Sequence, residues 1–80
     1  MDYTYQTHGT CSRSIRFSVE DGVIRNVSFE GGCNGNLQGI SRLVDGMKPE
    51  EAIARLSGIR CGMKPTSCPD QLARALQQTL

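Results

Sequence analysis

The stretch "SRSIRFSVEDGVIRNVSFE", residues 12–30, limits the fold more than any other part of the chain. Ile15, Phe17 and Val19 alternate with Ser14, Arg16 and Ser18, the period-two pattern of a strand with one buried face. Beyond Asp21-Gly22, a hairpin dipeptide, Val23, Val27 and Phe29 share one parity while Ile24, Asn26 and Ser28 share the other. Parity then argues for a turn length. A two-residue loop sets Val19 opposite Ile24 and Phe17 opposite Asn26, which mixes the faces. A three-residue loop, Glu20-Asp21-Gly22, sets Val19 opposite Val23 and Ile15 opposite Val27, and is the expected form. Arg25 then falls on the apolar side and must reach an edge or meet an acid. The opening "YTYQT" reads as a further strand.

From Gly31 the period changes. "GGCNGN" is a loop, and Leu37, Ile40 and Val44, with Leu43 beside them, form the stripe of a first helix that Gly46 ends. Pro49 suits the first position of a second helix, with Glu50 and Glu51 at its positive end, Ile53 and Leu56 on its buried side, and Ser57-Gly58 as its stop. Pro69 suits the first position of a third helix, striped by Leu72, Ala75, Leu76 and Leu80. Strands followed by helices predict an α+β domain: a small antiparallel sheet of about three strands, with about three helices packed on one face.

Eighty residues make a single expected domain, 1–80, with 38% hydrophobic residues, 5% aromatics and no Trp, so the core is thin and aliphatic. Cores of this size supply roughly 3–5 kcal/mol and are often reinforced by disulfides, a metal or a partner subunit. The first residues, "MDYTYQTHG", have neither the basic start nor the apolar run of a signal peptide, and the longest apolar run, Ala52 to Ala54, is far too short to cross a membrane. A reducing cytoplasmic location is expected, where cysteines bind metal or do redox chemistry more often than they form structural disulfides. A net charge of +1 argues against a nucleic-acid partner.

The four cysteines carry the functional argument. Cys11 opens a strand, Cys33 follows Gly31-Gly32 ahead of a helix, Cys61 precedes Gly62, and Cys68 stands just before the third helix. Thiols used merely as small hydrophobes would occupy core positions; these lie in loops and at element ends. Cys33 and Cys68 occupy helix N-termini, where the local dipole favours the thiolate that ligates metals and attacks disulfides. Pro65 and Pro69 stiffen the loop "CGMKPTSCPD", which lowers the entropy cost of ordering it. The gaps of 21, 27 and 6 residues contain no Cys-x-x-Cys pair, so neither a zinc-finger spacing nor a thioredoxin motif is present. His8, three residues before Cys11, is a candidate substitute ligand, while Asn34 and Asn36 read as turn or cap residues.

"TSCPD" at Thr66–Asp70, with "GGCNGN" at 31–36, "GMKPEEA" at 46–52 and the Cys61/Cys68 pair, resembles the TSCPD domain family over nearly the whole chain. Such domains occur as small bacterial proteins and at the C-terminus of some ribonucleotide reductases. The resemblance implies metal binding by four cysteines and a protein partner in nucleotide reduction. It does not imply a reductase, since the catalytic barrel is missing. The element order is also similar to iron–sulfur scaffold proteins of the IscU/NifU type, which place thiols where Cys11, Cys33 and Cys68 stand and also bind zinc there. Two scaffold features differ: Arg13 replaces an acid and Ser67 replaces a His. A fourth thiol, Cys61, is present instead, and four thiols close a tetrahedral shell as in structural zinc. The expected function is a zinc-binding module using Cys11, Cys33, Cys61 and Cys68, without catalysis of its own. The alternatives are an iron–sulfur scaffold or carrier on the same thiols and a thiol–disulfide relay between Cys61 and Cys68.

Overall fold

The computed structural model describes residues 1–32 and 34–80. Three strands, β1 (Asp2–Gln6), β2 (Ser12–Glu20) and β3 (Val23–Gly31), form an antiparallel sheet in the order β1-β2-β3. Helices α1 (Asn34–Val44), α2 (Pro49–Leu56) and α3 (Cys68–Gln77) follow. The α+β order read from the sequence is the observed one. No helix is long and apolar enough to cross a membrane, among the described residues.

The hairpin turn differs from the expected one. Glu20 pairs with Val23 and Val19 with Ile24, so the loop is the two residues Asp21-Gly22. Both have positive φ, 54° and 79°, the backbone of a type I′ turn, whose twist matches that of the flanking strands. The conflict of faces that argued against this loop is removed by a bulge. Between the pairs Arg16↔Ser28 and Ser18↔Arg25, β3 inserts an extra residue, and Asn26 sits there at φ 58°. The insertion shifts parity along β3. Ile24, fully buried, therefore shares the core side with Val27 and Phe29, and Ile15 faces Phe29 rather than Val27. Arg25 is left exposed and meets an acid, Asp45, at 3.3 Å.

Ile15, Phe17 and Ile24 of the sheet bury against Val44 of α1, Ala52 of α2 and Leu72, Ala75 and Leu76 of α3. Truncating one such buried Leu to Ala costs about 2–5 kcal/mol. Pro49 opens α2 as expected, with Glu50 and Glu51 in its first turn. Two stripe residues leave the core: Leu43 is 78% exposed, and Leu80, 70% exposed, lies beyond the end of α3. The chain between α1 and α2 is stitched to β3, with Gly46 N–H donating to Ile24 O and Ile24 N–H to Met47 O. This covers the outer edge of β3 at its start.

Candidate thiol site

Helix α3 begins one residue earlier than its proline suggests. Cys68 is the first helical residue, Pro69 the second, and Ser67 is the N-cap, its Oγ accepting from Asp70 N–H at 3.1 Å. Ser67 Oγ–H in turn donates to Ile59 O at 2.6 Å. The buried Asp70 carboxylate accepts from Gly58 N–H at 2.7 Å, from Thr66 Oγ1–H, and from Arg74 Nε at 3.1 Å. Burial alone would raise the Asp70 pKa, but the Thr66 hydroxyl, the Gly58 N–H and Arg74 together outweigh it and hold the carboxyl below its ordinary value. Gln71, also buried, donates to Thr66 Oγ1 at 3.0 Å and accepts from His8 N–H, 63 residues away in sequence. Four neighbours of Cys68 thus tie the α3 N-terminus to the α2–α3 loop and to the β1–β2 loop. The sequence carried a signal for this, a Ser three residues before an acid at a helix start, which the cysteine and proline obscured.

These tethers bring distant parts of the chain to Cys68. Cys68, only 7% exposed, lies with its Sγ 3.1 Å from Ser12 Oγ, across a sequence separation of 56 residues. Burial raises the Cys68 thiol, yet the polar groups of Ser12, above all its hydroxyl, with smaller help from Thr10 and Cys11, outweigh it, and the net shift is downward, towards thiolate. Cys11 is packed by glycine. A Cβ on Gly32 would stand 3.3 Å from Cys11 Sγ and 2.8 Å from Leu37 Cδ1, and Gly32 has φ 83°, so no side chain is accommodated there. In the Cys61–Thr66 loop, Cys61 N–H donates to Thr66 O and Lys64 N–H to Cys61 O.

Cys11, Cys61 and Cys68 line one cavity of about 520 Å³, bounded by the Gly35, Gly39 and Leu43 side of α1 and by Ile59. Cys11 and Cys61 are exposed, and all three thiols are free. Among the described residues, no three His, Cys, Asp or Glu side chains are close enough to hold a metal ion. Cys33, the remaining predicted ligand, lies outside the described residues; its neighbours Gly32 and Gly35 border Cys11 and the cavity respectively. His8 is exposed and contributes its backbone N–H to Gln71. The three thiols on the cavity are sulfur donors, a set suited to soft or borderline metals such as zinc and iron.

A family model described as TSCPD domain matches residues 3–80. Among curated proteins and among solved structures, nothing matches the chain.

Proposed function

The chain belongs to the TSCPD domain family, and from that premise we propose that it is a metal-binding module in which Cys11, Cys33, Cys61 and Cys68 hold one zinc ion. The observation that carries the reading is that three thiols, from positions 11, 61 and 68, line a single cavity, from which an ion would draw them into its shell. Zinc supplies the cross-link that a thin core lacks, joining the start of β2, the loop before α1 and the start of α3. The chain's own residues prepare the ligands. Ser12, Thr10 and the helix N-terminus favour the Cys68 thiolate, and Gly32 leaves room for the Cys11 sulfur. No catalytic step is assigned to these groups. Service to ribonucleotide reductase as a protein partner, in the cytoplasm, is proposed on family kinship alone.

A second reading, an iron–sulfur cluster on the same thiols, draws on the size of the cavity, since a cluster needs more room than one ion. Anaerobic expression with iron and zinc both supplied separates the two. The zinc reading expects colourless protein with zinc bound in one-to-one ratio, whose zinc is lost when Cys11 and Cys68 are both replaced by Ser. Brown protein with visible absorbance overturns it in favour of the cluster, and metal-free protein overturns both.

A further inference from the structure

A second cavity, about 540 Å³, runs between β3 and α1 on the opposite flank of that helix from the thiols. Its floor is Val27, Phe29 and Leu37, and one wall is the polar side of α1, including Gln38, Ser41 and Arg42. The other boundary is the outer edge of β3, which has no strand beyond it.

The register shows what that edge presents. Val19 N–H donates to Met1 O, so the odd residues of β2 address β1 and the even residues address β3. Arg16 and Ser14 register with Ser28 and Glu30, which therefore carry the ladder bonds to β2. Phe29, between them, turns its N–H and C=O outward into the groove. Farther back the edge is closed: the Gly46–Met47 backbone pairs with Ile24, and Asp45 Oδ1 accepts from Asn26 N–H at 3.3 Å. From Val27 to Gly31 no backbone partner covers it, among the described residues.

An open, alternating row of backbone donors and acceptors is complementary to another extended backbone. The groove also has a charge preference. Asp45 is already paired with Arg25, whereas Arg42 has no carboxylate partner among the described residues. The geometry points to this groove as a docking site for an extended, acidic segment of a partner protein, which adds as a fourth strand beside Val27–Gly31 and sets a carboxylate against Arg42. Alternate side chains of the segment would enter over Val27 and Phe29. The site uses none of the four cysteines and stands or falls independently of metal binding.

Hydrogen exchange on the isolated protein tests the premise without mutation. The Phe29 amide should exchange much faster than those of Ser28 and Glu30. Protection of Phe29 equal to its neighbours in dilute monomer overturns the open edge. Binding is then read by amide chemical shifts with acetylated, amidated seven-residue probes of alternating Val and Thr with Glu at one of the seven positions. Saturable shifts centred on Val27, Phe29 and Ser41, new protection at Phe29, and a tenfold or greater weakening by Arg42→Glu are expected. Arg42→Glu lies on the surface, and retention of the free protein's spectrum verifies its fold. A probe with Pro at the position opposite Phe29 should not bind. Shifts centred on the thiol cavity, or concentration-dependent self-association that protects Phe29 and excludes the probes, overturn the proposal, as does the absence of any shift at millimolar probe.

Discussion

Two cavities of nearly equal size flank helix α1, about 520 Å³ on one side and about 540 Å³ on the other, and they are made in different ways. The β3 groove is built by neighbours in sequence, a strand and the helix that follows it. The thiol cavity is assembled from residues 11, 35–43, 59–61 and 67–69, and depends on single hydrogen bonds that span 56 and 63 residues. Local construction tolerates change because each part is stable within its own element. Long-range construction fails when one tether is cut. The thiol side should therefore respond strongly to substitution and to metal, and the groove side weakly.

The largest contrast should come from metal removal. A shift of about 4–8 °C in melting temperature accompanies each 1 kcal/mol for a domain this small, and a structural zinc provides several kcal/mol. Chelated protein should melt at least ~10 °C lower, or lose cooperative unfolding, by calorimetry. Equal melting with and without chelator would erase the distinction between the flanks.

Next in size is the α3 tether. Asp70→Ala removes the acceptor for Gly58 N–H and Thr66 and the partner of Arg74. The buried Thr66 hydroxyl left without its acceptor costs about 1–3 kcal/mol, and losing the Gly58 bond and the Arg74 pair adds to it, so a loss of ~2–4 kcal/mol is expected in denaturant melts. Ser41→Ala, on the groove wall, should cost less than ~1 kcal/mol, since a single hydroxyl bond to Leu37 O is at stake. Comparable losses at both positions would contradict the comparison.

Two glycines on the thiol side, Gly32 against Cys11 and Gly39 on the cavity wall, separate long-range packing from local helix propensity. Gly32→Ala meets Leu37 and Cys11 at positive φ and should destabilise by about 1–3 kcal/mol. Gly39→Ala, in the interior of α1 with nothing within 4 Å of the added Cβ, should stabilise the helix by about 0.5–1 kcal/mol. The smallest effect belongs to the bulge: Asn26→Gly keeps the positive φ and should change stability by less than ~0.5 kcal/mol, whereas Asn26→Val should cost ~1 kcal/mol or more. Denaturant titration of the four variants gives the order directly.

The same division between local and distant determines what could be read from residues alone. The strands, the helix order, Pro49 at a helix start and Ser57-Gly58 at a helix stop were legible because each is encoded within a few neighbouring positions. The hairpin register was misread because a bulge at Asn26 breaks the period-two rule, and an exposed Asn at positive φ leaves almost no trace in a hydrophobic pattern. Leu43 and Leu80 have the correct helical spacing but face away from the core, which periodicity cannot foresee. Cysteine placement identified Cys11, Cys61 and Cys68 as candidates, and the structure sets them on one cavity. The Ser67–Asp70 cap is local and left a signal, but the reach of Ser67, Asp70 and Gln71 to Ile59, Gly58 and His8 was not legible, because those partners belong to other parts of the chain.

Zinc quantified by elemental analysis, on untagged protein purified without chelator, bears most directly on the four-thiol centre. One zinc per chain is predicted, with all four thiols shielded from an alkylating reagent until the ion is removed. Metal-free protein that melts cooperatively at full temperature while Cys11 and Cys61 alkylate freely would contradict it.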